Sequence, residues 1–90
     1  MSDQQRCEQV IRAALAAQGQ LAVPVDSLRA NDDLHAHGLT SLRSVRVLLA
    51  IEAELGIEFP EDRLGRSLFT SIENLVAEAT PLVPSQGGPQ

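Results

Sequence analysis

Aromatic side chains are almost missing from this chain: there is no Trp and no Tyr, and Phe occurs only as Phe59 and Phe69. That scarcity excludes base stacking as a route to single-stranded nucleic acid. An excess of basic charge is missing as well. Seven Lys+Arg against 12 Asp+Glu leave a formal charge of −5, and no basic stripe is present to neutralise phosphates, so a nucleic-acid partner is not expected. Cysteine occurs once, as Cys7, which rules out an intrachain disulfide and fits a reducing, cytoplasmic setting. No apolar run approaches the roughly 20 residues that span a bilayer. The polar start Met1-Ser2-Asp3-Gln4-Gln5-Arg6 lacks the apolar stretch of a secretory signal. What is present is 43% hydrophobic residues in a chain of 90, enough for one small domain with a packed core. A monomer is expected.

The periodicity predicts an all-α fold. A first helix over about Asp3–Gln18 has Val10, Ala14 and Ala17 at i, i+4, i+7, with Ile11 and Leu15 extending the stripe. Gly19 is expected to end it in a left-handed cap. From Gln20 to Leu39 helical period is lost, and Pro24 pushes Val23 toward extended geometry. The stretch reads as a long ordered loop pinned by Val23, Val25, Leu28 and Leu34, with a helical turn near Asp33–Ala36. A second helix is predicted over Ser41–Leu55, where Val47, Ile51, Leu55, Leu48, Val45, Leu49 and Leu42 sweep about 220° of the wheel. So wide an arc predicts burial on several sides in a bundle, with only a narrow strip facing water. Gly56 ends that helix. A short helical turn in Glu61–Leu68 follows Pro60, and Thr70-x-x-Glu73 has the spacing of a capping box for a last helix reaching Ala79. The expected architecture is a small four-helix bundle, three main helices plus one short, with a long loop after the first. Residues 1–80 form the domain and 81–90 a disordered tail, in which Pro84–Gln90 has nothing to bury.

Catalytic constellations are thin. His35 and His37 lie two apart near Asp32 and Asp33, but one turn offers poor metal geometry and no cysteine cluster completes it, so they read as solvated loop histidines. Cys7 near the start of a helix has no partner in view and reads as a small hydrophobe. Ser41 is not in a strand-turn-helix elbow, and no base accompanies it. The segment Gly38-Leu39-Thr40-Ser41-Leu42 does stand out, because it joins the long loop to the most apolar helix. A serine at a helix N-terminus meets unpaired amides and the positive end of the dipole, which favour an attached anionic group such as a phosphate. Helix capping by Thr40 or Ser41, worth about 1 kcal/mol, is the plain alternative.

The wider pattern favours the first reading. Asp33-Leu34, Gly38-Leu39-Thr40-Ser41-Leu42, Val45, Leu49, Ile51-Glu52, Ile57-Glu58-Phe59-Pro60 and Ser71-Ile72-x-x-Leu75 together resemble the acyl and peptidyl carrier protein family. The resemblance covers about Val23–Ala79, and Asp3–Gln18 fits the family's first helix. It implies that Ser41 receives 4'-phosphopantetheine from coenzyme A, and that the chain is a scaffold, not an enzyme, whose cargo rides as a thioester. A thiol is a better leaving group than an alcohol, so the cargo stays transferable. A mobile arm also raises its effective concentration at successive active sites.

Two features depart from the family's common pattern. Thr40 stands where Asp usually precedes the modified serine. Arg43 and Arg46 occupy the exposed strip of the second helix, where fatty-acid carriers offer acidic residues. Two arginines beside the attachment site of an acidic protein suggest a partner-selective patch. Gly19-Gln20-Leu21 with Pro24-Val25-Asp26, then Gly38-Leu39-Thr40-Ser41, then Glu58-Phe59-Pro60 with Leu64 and Ser71-Ile72 is similar to small stand-alone carriers loaded with amino acids. Their loading enzymes are free-standing amino acid:carrier protein ligases that resemble class II aminoacyl-tRNA synthetases, and a neutral residue before the serine suits that group. The implied partners are a phosphopantetheinyl transferase, such a ligase and a downstream acyl-accepting enzyme. Their contacts are expected at Thr40, Leu42, Arg43, Val45, Arg46 and Leu49 and at Arg63 and Arg66 of the short helix. A discrete carrier of a polyketide or nonribosomal peptide pathway, or a helical adaptor in which Ser41 is only a cap, are the alternatives.

Overall fold

The structure is a computed structural model that describes residues 2–84. Three α-helices, α1 (Asp3–Ala14), α2 (Ser41–Leu55) and α3 (Ile72–Ala79), account for the main elements, and no strand occurs among the described residues. α1 packs against both α2 and α3. Ser2 caps α1 through a reciprocal pair, Gln5 N–H to Ser2 Oγ at 3.1 Å and Ser2 N–H to Gln5 Oε1 at 3.2 Å. The helix buries Cys7, Ile11 and Ala14.

The first helix ends differently from the sequence expectation. Leu15–Gly19 widens into a π-helical turn, so the buried line passes through Leu15 and Gly19, and Ala17 turns out to solvent. The added residue also moves the left-handed position from Gly19 to Gln20, at φ 48° and ψ 49°. Gly19 itself packs at ordinary van der Waals distances: a Cβ there would meet Leu15 and Leu21 at 3.6 Å and Leu39 at 3.7 Å.

The long connection to α2 is ordered, as expected. Val25, Leu28 and Leu34 are buried, Val23 packs against the core at its margin, and Leu39 joins them. A 3₁₀ turn forms at Val25–Ser27. Arg12 of α1 pins it by donating from Nη1 to the carbonyls of Val25 and Leu28, both at 3.1 Å, while Nε holds Glu8 at 3.0 Å. From the far side, Leu34 N–H donates to Thr70 O at 2.9 Å and Glu73 N–H to Ala30 O at 2.7 Å. The turn expected near Asp33–Ala36 closes slightly later, with His37 and Leu39 both donating to Leu34 O at 3.1 Å.

α2 runs over the expected Ser41–Leu55 and stops at Gly56, φ 67°. Its apolar arc is not buried as a whole. Val47, Ile51 and Leu55, at about 240–320° on the wheel, are core; Leu42, Val45 and Leu49, at about 40–100°, are 66%, 52% and 59% exposed. The bundle covers one half of the arc and leaves the other to solvent.

Three further expectations are corrected. The Glu61–Leu68 helix is a pair of 3₁₀ turns, Glu61–Arg63 and Arg66–Phe69, interrupted at Gly65, whose φ of 150° is foreign to any helix. The cap of α3 is Ser71, not Thr70: Ser71 Oγ accepts from Asn74 N–H at 3.0 Å, while Thr70 Oγ1 donates back to Ser67 O at 2.8 Å. Glu73 therefore stands one place too early for a capping box. Finally, Thr80–Leu82 continues α3 as a 3₁₀ turn and Val83 is buried in the core, so the packed unit extends past the boundary expected at residue 80. The rest of the expected tail, 85–90, lies outside the described residues.

Candidate functional site

Ser41 is the first residue of α2, and Thr40 is its cap. Thr40 Oγ1 accepts from Arg43 N–H at 3.2 Å, and Thr40 O receives both the N–H and the hydroxyl of Ser44 at 2.9 Å. Of the two hydroxyl residues, Thr40 does the capping. Ser41 Oγ is exposed and makes no hydrogen bond among the described residues. The first amides of a helix have no intrahelical acceptor; here those of Arg43 and Ser44 are satisfied by Thr40, which leaves Ser41 N–H and Leu42 N–H open beside the hydroxyl. Exposed oxygen, open amides and helix dipole converge on one point, which suits a phosphodiester.

The backbone that delivers Ser41 there is tightly specified. Gly38 adopts φ 100°, and a Cβ on it would lie 3.4 Å from Ala22 N. That amide donates to His37 O at 2.8 Å, so the chain leaving α1 docks directly under the segment entering α2.

Beside Ser41 lies a groove of about 280 Å³ between α2 and the 64–69 segment that holds the second of the paired 3₁₀ turns. Ser41, Ser44, Val45 and Leu48 form one wall; Leu64, Gly65, Arg66 and Phe69 form the other, and His35 lies between them. The rim is apolar at Val45 and at Leu64, which is 42% exposed. No acidic residue occurs between Asp33 and Glu52, so the surface around Ser41 carries arginine charge in a chain that is acidic as a whole.

The residues singled out from sequence do not all meet here. Thr40 and Leu42 flank Ser41 in the chain, Val45 lines the groove beside it, Leu49 is exposed about two turns further along α2, Arg46 is exposed on α2, and Arg43 is half-buried. Arg66 lines the groove. Arg63 is directed elsewhere, with Nη1 3.4 Å from Glu78 Oε2 of α3. Glu52, noted for its spacing, fastens the chain that follows α2. Its carboxylate accepts from Phe59 N–H at 2.8 Å, and its carbonyl accepts from Gly56 and Ile57 at 2.9 and 3.1 Å. These bonds fold the Ile57-Glu58-Phe59 strip back onto the helix.

Two groove residues are not signalled as such by the sequence. Ser44 is buried and turned to the groove, a position three residues after Ser41 that helical spacing could have flagged. His35 is not simply solvated, since both ring nitrogens face backbone carbonyls; one of those belongs to Arg66, 31 residues away, which no local pattern signals. Among the described residues, no group of three or more His, Cys, Asp and Glu is placed to hold a metal ion, and no helix is long and apolar enough to cross a membrane. Cys7 is wholly buried in the core.

Comparison with known proteins agrees with this geometry. Residues 9–80 match the family model described as a phosphopantetheine attachment site. An aminoacyl carrier protein of Agrobacterium fabrum is 48% identical over 63 residues, which are 70% of this chain and 76% of that one. Among solved structures, a chain in the complex of an engineered Bradyrhizobium japonicum glycine:[carrier protein] ligase with a carrier protein from Agrobacterium tumefaciens and ATP superposes with TM-score 0.80. It is 39% identical, over 84% of this chain and 99% of that one. A chain in the complex of the Bradyrhizobium japonicum ligase with glycylated carrier protein gives TM-score 0.69 at 25% identity, over 81% and 97% of the two chains. On the fold, the exposed helix-terminal serine and these relatives, the chain belongs to the phosphopantetheine-bearing carrier proteins and is a homologue of the aminoacyl carrier proteins among them.

Proposed function

We propose that Ser41 is the residue that bears 4'-phosphopantetheine, and that the chain carries a small aminoacyl group loaded by an amino acid:carrier protein ligase. The observation that carries the assignment is the free, exposed Ser41 hydroxyl at the first position of α2, with capping already supplied by Thr40. Ser41 provides the oxygen that bonds to phosphorus, and the open amides of Ser41 and Leu42 provide a positive field for the phosphodiester. When bound, the arm supplies a thiol on which the aminoacyl group is held as a thioester.

A small cargo is favoured by the relatives solved with a glycine ligase. Leu42, Val45 and Leu49 offer partner enzymes an apolar ridge, flanked by Arg43 and Arg46 and faced across the groove by Arg66. A phosphopantetheinyl transferase installs the arm, and a downstream enzyme accepts the aminoacyl group. The use of coenzyme A, and of ATP in loading, supports a cytoplasmic setting for these steps. The chain itself supplies position and charge, and the catalytic groups come from its partners.

Intact mass after incubation with coenzyme A and a broad-specificity phosphopantetheinyl transferase tests the assignment. One added phosphopantetheine is expected on the wild type and none on Ser41→Ala, with helical circular dichroism unchanged because Thr40 still caps α2. Modification of Ser41→Ala, or none of the wild type with several transferases, would overturn it. Loading of the modified chain by ATP, a ligase and glycine or alanine then separates this reading from a polyketide or peptide-pathway carrier, which would instead accept an acyl or larger aminoacyl group.

A further inference from the structure

His35 spans the two walls of the groove. Its Nε2 lies 2.9 Å from the carbonyl oxygen of Arg66, and its Nδ1 lies 3.3 Å from the carbonyl oxygen of Leu39. A carbonyl oxygen only accepts, so each contact requires a hydrogen on the facing ring nitrogen. Neutral imidazole carries one such hydrogen, and imidazolium carries two. We propose that His35 is a protonation-dependent latch: doubly protonated, it ties the Arg66–Phe69 turn to the segment entering α2, and loss of one proton frees one of the two carbonyls.

The longer Nδ1 contact is the one that yields, since two lone pairs would otherwise face each other across it. The carbonyl it holds is the peptide partner of Thr40 N–H, and Thr40 caps α2 directly before Ser41. Opening the latch therefore shifts the residue that sets the Ser41 backbone. Closing it extends to the groove a seam begun by Leu34 N–H on Thr70 O at 2.9 Å.

The charges around the ring come from several elements. On its own loop, Asp33 Oδ1 accepts the His35 amide at 2.9 Å, and His37 is the neighbouring titratable group. Arg66 shares the groove from the second wall, while α2 lines it with Ser41, Ser44, Val45 and Leu48, none of them charged. Glu73 of α3 reaches the same loop at Ala30 through its amide. The latch is a property of the unmodified chain and does not rest on Ser41 being the attachment residue.

Nuclear magnetic resonance of the unmodified full chain, titrated from about pH 5 to 8 where histidine changes charge, provides the test. The Thr40 amide is expected to move with the His35 ring and with its midpoint. That response should be lost in His35→Gln, which can donate to one carbonyl but cannot titrate, and kept in His37→Gln. A Thr40 amide that stays still, that follows His37, or that moves equally in His35→Gln would overturn the latch. Should His35→Gln fail to fold, comparing the Thr40 midpoint with the two ring midpoints, in the wild type and in His37→Gln, still decides between the two histidines.

Discussion

The connection from Gln20 to Thr40 and the one from Gly56 to Ser71 border the same groove, yet only the first is held along its whole length. The first sinks Val25, Leu28, Leu34 and Leu39 into the core and takes hydrogen bonds from Arg12, and it is tied to Thr70 and Glu73. In the second, every residue from Pro60 to Ser67 is exposed. It is fastened by Glu52 on Phe59 at one end and, toward the other, by His35 Nε2 on the carbonyl of Arg66 and Asn74 Nδ2 on the carbonyls of Ser67 and Leu68, with Leu68 and Phe69 buried. A segment with little buried apolar surface opens at low cost, and one anchored at close intervals does not. The wall that delivers Ser41 is thus built as a platform, and the opposite wall as a surface that can adjust to what enters.

Three substitutions sharpen the contrast. The largest effect is expected for Leu34→Ala, which empties a fully buried position in the first connection; a loss of about 2–5 kcal/mol should appear in urea unfolding. Arg12→Ala comes next. It removes a half-buried cation from two carbonyls, and charge-assisted bonds of that kind put the loss at about 2 kcal/mol. Faster hydrogen exchange should accompany it at the 25–28 turn. Arg63→Ala is the control from the second connection: its pair with Glu78 is 3.4 Å long and Arg63 is 60% exposed, so unfolding should change by no more than about 0.5 kcal/mol. A large effect of Arg63→Ala, or none of Arg12→Ala, would reverse the assignment of the two walls.

Much of this organisation was legible in the sequence where a local cause acts alone. α2 shows it best, because sustained apolar spacing and a terminal glycine define both its ends. The site serine was legible for a similar reason, with Gly38 and Thr40 marking the turn into that helix. What the residues could not convey was which half of the α2 arc meets the bundle, since an apolar face looks the same whether a neighbouring helix or a partner protein covers it. The cap of α3 lies one place beyond the one that spacing predicts, because Thr70 and Ser71 are chemically equivalent caps and only the tertiary bonds at Leu34 and Ala30 choose between them. The π-helical turn at Leu15–Gly19 and the reach of His35 to Arg66 depend likewise on packing between distant segments.

The closing of the first turn of α2 by Thr40 alone has a consequence for the timing of modification. No hydrogen bond of the folded chain uses Ser41 Oγ among the described residues, so a group can be attached to or removed from that oxygen without breaking any. With the arm on Ser41 as proposed, maturation is separated from folding: the chain can reach its final shape first and receive its arm at any later time, and repeated exchange of the arm would leave the scaffold unaltered.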